Sequence, residues 1–489
     1  MMAQIDIGLQ ANMGYRVILP SHNIPFRQGG RPMQLTTGFV ELLEEFATVF
    51  NAPTFLLFVD LMTGWTLSHR HRFVTDLILS AGAVGKGHFS NYHRFFSQYV
   101  WELDGLSKVL TLLLVRLFVS TGLIELAVDD TLCRKRGLTV YGAGMHHDPL
   151  ISSKAKKLCS WGHDWVVVCL LVRCPAWAPT KVFSLPICFR LYRNRQGLTK
   201  GKKKRKNQKK AKPDPNHRTR PQLAVEMLEL IASWLPEREI LVTGDSAYGG
   251  ASVLQKLPEN MDLISHVHPK GALYKPAPKT ENGEKGRGAP RKKGDRLPGM
   301  AAWAKDRRQP WKTMTFDQYG FHATVEVKTI KALYYKSGKD RLLVIVLVRD
   351  VLGKRPDQMF YCTRLSWGAR TILGAYAGRW SIEVTFENCK QLLGLNDPAN
   401  RKEKAVRRTA PMSLVLYSLI VAWFDREGHR YVQFPDRPWY RTKQEPSFAD
   451  MLTTLRRRSW EHKLQHLLPK RGPLKKHVTE IIHFLSLAG

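Results

Sequence analysis

Apolar residues recur at helical spacing over Thr36–Phe50 and Gly105–Thr121, and residues 1–125 read as largely helical. Between those segments, Arg72–Ser80 and Ser90–Val100 flank a glycine-rich turn at 81–87. That arrangement suggests helix, turn, helix, with Ser90 capping the second helix. From Leu123 the pattern changes: Leu123–Val128, Trp165–Val172 and Lys181–Tyr192 are β-rich runs of strand length. A helix from Pro221 to Trp234 follows, then a strand at Glu239–Thr243, a helix at Ala251–Leu257 and a strand at Met261–Val267. Residues 269–310 carry no convincing periodicity, whereas Lys312–Lys336 and Leu342–Arg349 alternate as β-structure does. A helix from Arg370 to about Leu393 and a helical, basic stretch over 410–489 complete the chain, with no internal repeat.

The order is α/β. Three strands, a helix, two more strands and, after a long interruption, a final helix is the order of an RNase H-like core, a mixed five-stranded sheet with helices. The expected organisation is a helical N-terminal DNA-binding region over 1–122 and a first part of the core over 123–267. A β-rich insertion over 268–368, the final core helices over 369–425 and a basic helical C-terminal region over 426–489 follow.

Charge narrows the partners. Lys and Arg number 76 against 41 Asp and Glu, a formal net charge of +35. A field of that sign gathers polyanions, and phosphate backbones are the commonest large ones. No basic amphipathic helix with a clean apolar face is visible, so double-stranded DNA is a better partner than a membrane surface. Lys200–Lys212 is a low-complexity basic loop, as apt to be a solvated segment as a DNA contact. The seven cysteines are never spaced C-x-x-C, which argues against a zinc ribbon and a disulfide framework. With no signal pattern at the N-terminus, and Ala410–Phe424 too short to span a bilayer, a cytoplasmic protein is expected.

Acids stand where strands end. Asp129 and Asp130 close the first core strand, Asp245 follows the fourth, and Glu383 lies on the last core helix. Oxygen-only ligand sets select hard cations such as Mg²⁺, with Mn²⁺ able to substitute. Two such ions about 3.5–4 Å apart can stabilise both the attacking and the leaving oxygen of a phosphoryl transfer. On a helix of about 3.6 residues per turn, Tyr376, Arg379, Glu383 and Lys390 share one stripe. Such a stripe suits a metal and a DNA phosphate together, or is an ordinary surface face with an Arg379–Glu383 ion pair. Upstream, Asn91, Arg94 and Gln98 form the polar face of a candidate DNA-reading helix, or a solvated face.

The segment Tyr376-Ala-Gly-Arg379-Trp-Ser-Ile-Glu383-Val-Thr-Phe-Glu-Asn-Cys-Lys390 resembles the Y-x2-R-x3-E-x6-K signature of IS4-type DDE transposases. Leu126-Ala-Val-Asp-Asp130-Thr-Leu, Val242-Thr-Gly-Asp245-Ser-Ala-Tyr and Lys390-Gln-Leu-Leu-Gly-Leu are similar to the related IS701 group, and together the likeness spans roughly residues 65–425. The resemblance implies a metal-binding triad of Asp130, Asp245 and Glu383, with Asp129 as the alternative first acid and Glu387 outside the signature. It implies phosphate contacts from Tyr376, Arg379 and Lys390 around the transposon end. It also implies two-metal cleavage and strand transfer without a covalent enzyme intermediate, no small-molecule cofactor, and a homodimer or larger assembly joining two transposon ends. Family members that cut through a hairpin hold a flipped base on an insertion-domain Trp, for which Trp303, Trp311 and Trp367 are candidates by type. His146, His147, His163, His266 and His268 lack zinc-helix spacing and read as structural. Two other readings remain open: an RNase H-fold nuclease that does not join strands, and a catalytically silent DNA-binding protein.

Overall fold

The computed structural model describes residues 35–153, 155–194, 217–278, 291–318, 321–434, 438, 442–464, 478 and 481. The helical N-terminal region holds α1 (Thr37–Glu44), α2 (Ala52–Leu67), α3 (Val74–Ser80), α4 (Ser90–Ser97) and α5 (Leu103–Phe118). Asn51 caps α2, its side chain accepting from the Thr54 amide at 3.0 Å. A Cβ on Gly64 would overlap the Leu77 carbonyl, so glycine there lets α2 and α3 touch backbone to backbone. The residue before α4 is Phe89, and the Ser90 amide donates to His88 Nδ1 at 3.3 Å. His88, rather than Ser90, therefore serves the start of that helix.

The core strands are β1 (Ile124–Arg134), β2 (Gly144–His147), β3 (Cys159–Arg173) and β4 (Val182–Tyr192). After them come α6 (Arg220–Trp234), β5 (Ile240–Gly244), α7 (Ala251–Leu254) and β6 (Met261–His266). In the sheet, β4 pairs antiparallel with β3 and β3 with β1, while β1, β5 and β6 run parallel. This is the RNase H-like order. Pro186 falls where the β3–β4 register shifts, a place where a residue without an N–H is tolerated.

Residues 268–368 do not stand apart as a separate β-unit. They carry α8 (Met300–Lys305), β7 (Lys312–Gln318), β8 (Phe321–Leu333), α9 (Tyr335–Gly338), β9 (Leu342–Asp350) and β10 (Gln358–Cys362). β10 pairs antiparallel with β6, and β9, β8 and β7 follow in turn. The expected five strands thus become one ten-stranded sheet among the described residues. The short β10 supplies the join. Its Phe360 and Cys362 meet Leu241, Ile264 and Val346 in a core onto which Ile372 and Leu373 pack.

Those two residues belong to α10 (Ala369–Ala377), which continues through a 3-10 turn at Gly378–Trp380 into α11 (Ser381–Gln391). α12 (Glu403–Arg426) and α13 (Phe448–Leu464) follow. α12 runs well beyond the apolar stretch Ala410–Phe424 and is long and apolar enough to cross a membrane, but 94% of its apolar window is buried inside the fold. It is a core helix. Five of the cysteines, Cys133, Cys169, Cys188, Cys362 and Cys389, are buried, and all seven are unpaired.

Candidate active site

Parallel pairing decides which first-strand acid meets Asp245. β1 and β5 are in register from Ile124 opposite Ile240 to Val128 opposite Gly244. The next residues along are Asp129 and Asp245. Register partners on parallel strands send their side chains to the same face, and consecutive residues alternate. Asp129 therefore shares a face with Asp245, and Asp130 points to the other. Burial lifts the Asp129 carboxyl to about 7, Arg379 opposing the rise and the nearby Asp245 adding to it.

The α10–α11 segment lies on the Asp129 side. Arg379 Nη1 donates to Asp129 Oδ2 at 2.7 Å, and its Nη2 lies 3.8 Å from Glu383 Oε1. Burial, together with the nearby Asp245, raises the Glu383 carboxyl, and Arg379 pulls the other way. The Arg379 guanidinium is thus held by acids from two elements. Its Nε is buried and has no hydrogen-bond partner among the described residues. Tyr376 packs edge-on against Phe360 and His266, with ring centroids 4.9 and 5.1 Å away, and Arg379 lies 5.6 Å over its ring. Burial pushes the Tyr376 phenol up to about 12, so it stays protonated and able to donate. Lys390 ends the same helix two turns beyond Glu383. Glu387 is exposed and accepts from Gln391 at 3.0 Å.

Across β1, Asp130 belongs to a different network. Its Oδ1 accepts from Tyr248 Oη at 2.8 Å, and Arg220 Nε lies 3.4 Å from its Oδ2. Arg220, at the start of α6, also donates through Nε to the buried Asp164 at 2.6 Å. Its guanidinium rests over the Tyr192 ring at 4.6 Å. Burial and the neighbouring Asp164 raise the Asp130 carboxyl, Arg220 and the Tyr248 hydrogen bond restrain the rise, and Asp245 adds to it. The buried His146 stands 3.5 Å from Asp164, held neutral by burial and by Arg220. The resemblance places Asp130 with Asp245 and Glu383; in the structure Asp130 is bound to Tyr248 and Arg220, and Asp245 is near enough to raise its carboxyl. A one-residue step along a strand reverses the face, and the motif alone does not say which step applies. Arg220 and Asp164 were not singled out from sequence; the one signal was an acid, Asp164, heading an otherwise apolar strand.

The donor set fits a hard cation by chemistry. Asp129, Asp245 and Glu383 offer only oxygen; desolvation raises the buried Asp129 and the more exposed Glu383, and Asp245 adds to both rises. Among the described residues, no three His, Cys, Asp or Glu side chains stand close enough together to hold an ion. Arg379 occupies the space between the acids instead.

The other sequence candidates fall in varied places. On α4, Arg94 is exposed and Asn91 accepts from Tyr99 at 3.3 Å, while Gln98, also exposed, lies just past the helix end. Trp303 is buried and donates to Gln309 at 2.6 Å, a core residue. Trp311 lies between Arg349 and Lys328, at 4.1 and 4.8 Å, and Arg364 lies 5.4 Å over Trp367. His163 is buried against the Tyr141 carbonyl at 2.9 Å. His268 accepts from the Lys270 amide at 3.1 Å, and His147 is exposed. The basic run Lys200–Lys212 lies outside the described residues.

The family described as DDE superfamily endonuclease matches residues 46–331, more than half of the chain. That span carries the helices α2–α6, the aspartates of β1 and Asp245, and ends before Glu383. No curated protein matches the sequence.

Proposed function

Because the chain belongs to the DDE superfamily endonucleases, we propose that it is an IS4-type DNA transposase with motifs of the IS701 group, cutting and rejoining DNA at the ends of an insertion sequence. The observation that carries this reading is the Arg379 guanidinium, bound to Asp129 of β1 and beside Glu383 of α11, with Asp245 near enough to raise both carboxyls.

In this reading Asp129, Asp245 and Glu383 hold divalent cations, Mg²⁺ or Mn²⁺ and two in number. Bound there, the ions supply neutralisation of the charge that develops on the attacking and leaving oxygens. Arg379 is the phosphate anchor: its orphaned Nε and its planar fork suit the non-bridging oxygens of a phosphodiester. Tyr376 steadies that guanidinium and keeps a proton to donate. Lys390 adds a cation farther along the same helix for the neighbouring backbone. Asp130, the acid marked by the resemblance, is bound to Tyr248 and Arg220, and on this geometry it fixes the end of β1.

Hydrolysis at an element end leaves a 3′-hydroxyl. In strand transfer that hydroxyl attacks a target phosphodiester, so one phosphoester bond forms as another breaks and the displaced 3′-oxygen leaves. No enzyme nucleophile is required. Two ends are brought together in a homodimer or larger assembly.

The test uses purified full-length chain with DNA bearing its own element's ends and with pre-cut ends, in Mg²⁺ or Mn²⁺. Cleavage at the boundary and joining of the pre-cut ends support the proposal. Cleavage without joining supports a nuclease of the same fold, and binding without either supports a silent DNA-binding protein.

A further inference from the structure

We propose that the cavity between the α2–α3 connection and α13 is a second DNA contact, taking a backbone phosphate and its base away from the active site. The inference rests on DNA being the substrate. The cavity has a volume of about 450 Å³, and its lining includes His69, Arg70, Asp76, Trp460 and Lys463. That size lies within the ~300–1,000 Å³ of sites that hold small ligands or parts of larger ones.

Its charge is one-sided. Arg70 and Lys463 line the cavity, and Asp76 is the acid in the lining. Behind it lie two buried guanidiniums. Arg456 donates to the carbonyls of Thr66 and Ser68, both at 2.8 Å, and Arg72 donates to the Leu392 carbonyl at 2.7 Å. Carbonyls satisfy these donors but do not neutralise them. Asp397 is the acid beside Arg72, accepting from its backbone amide at 2.9 Å. The unbalanced charge is felt locally: burial and the neighbouring Arg72 push Arg456 down to about 9. Burial, with Arg456 and Arg72 adding to it, pushes His69 down to about 4, so its imidazole is neutral. An anion entering the cavity would relieve this field.

The remaining chemistry selects a nucleotide over a bare anion. Trp460 lines the cavity, and Lys463 Nζ lies 4.9 Å from its ring. Trp460 Nε1 is buried and has no acceptor among the described residues. An aromatic ring beside paired cations is the arrangement that stacks a base while holding its phosphate.

The experiment measures affinity of the full chain for labelled double- and single-stranded DNA by fluorescence anisotropy across a salt series. Wild type is compared with Arg70→Glu/Lys463→Glu, the milder Arg70→Gln/Lys463→Gln and Trp460→Leu. The charge reversals are expected to weaken binding ~10-fold or more and to reduce the slope of log affinity against log salt by ~1–2. Trp460→Leu should weaken single-stranded binding by ~10-fold. The glutamine pair, with thermal melting as a control for folding, should show the same changes at smaller size. Variants that match wild type in affinity and slope overturn the proposal while leaving the active-site reading intact. A wild type that binds no DNA overturns both. Calorimetry with inorganic phosphate separates the sources: phosphate binding lost in the charge reversals, with DNA affinity unchanged, assigns the cavity to a free anion and overturns the DNA contact.

Discussion

The Arg379 guanidinium reaches across from the turn before α11 to donate to Asp129 Oδ2 at 2.7 Å, joining the last core helix to the first core strand. The partners lie 250 residues apart in the chain. A buried, charge-assisted contact of this kind fixes where Glu383 stands relative to β1, because Glu383 is one turn farther along the same helix. On the proposed reading one guanidinium would have two roles, satisfying an acid before substrate arrives and binding phosphate afterwards.

Strand alternation sends the side chains of Asp129 and Asp130 to opposite faces of β1. Asp129→Asn is expected to lower metal-dependent cleavage by ~100-fold or more, since it removes a charge from the ion-binding set. Asp130→Asn should retain more activity. It should also raise the melting temperature, because it relieves repulsion against the buried Asp164 while Tyr248 can still donate to the amide oxygen. Loss of cleavage in Asp130→Asn with survival in Asp129→Asn would reverse the assignment.

Protonation of Asp129 gives a pH signature. Its folded pKa of about 7 lies above the unfolded value of ~3.9, so the folded chain keeps a proton that the unfolded chain releases. Its contribution to stability is therefore greatest below pH ~4 and declines as pH rises through about 7. His69, His146, His163 and His266, each pushed down to about 4 by burial, work in the opposite sense, losing stability as pH falls. The difference in melting temperature between wild type and Asp129→Asn isolates the aspartate. Without divalent ions, wild type should lose ground to the variant as pH rises. Mg²⁺ should raise the wild-type melting temperature more at pH ~8 than at pH ~5, since binding needs the ionised carboxylate. An equal rise at both would count against a carboxylate site.

Trp303 offers a check on the fold outside the site. It is buried, and its indole N–H donates to Gln309 at 2.6 Å. Trp303→Ala should cost about 3–5 kcal/mol of stability by chemical denaturation. Trp311→Ala, which removes a ring between two cations, should cost no more than ~2 kcal/mol. A wild-type stability for Trp303→Ala with lost DNA cleavage would instead favour a base-holding role.

That Arg379 and Glu383 lie on one helical segment was legible in the sequence, because their neighbours form a spaced signature where the hydrophobic pattern already specifies a helix. The choice between Asp129 and Asp130 was not, since strand register depends on pairing with a strand more than a hundred residues away. The continuation of the sheet through β10 was hidden for a related reason. Gln358–Cys362 is a five-residue strand, and its pairing with β6 crosses a region without periodicity. Arg220 and Asp164 were missed because nothing local links the end of a basic stretch to a buried acid on β3. Local pattern specified the elements, and long-range pairing specified which side chains meet.

The most direct measurement compares wild type with Glu383→Gln on DNA carrying the element's ends, in Mg²⁺, reading binding and cleavage from the same samples. The substitution keeps the shape and removes the charge. Equal binding with cleavage lowered by ~100-fold or more is the predicted result. Cleavage by the variant at the wild-type rate would contradict the central claim that Glu383 is one of the ion-binding acids.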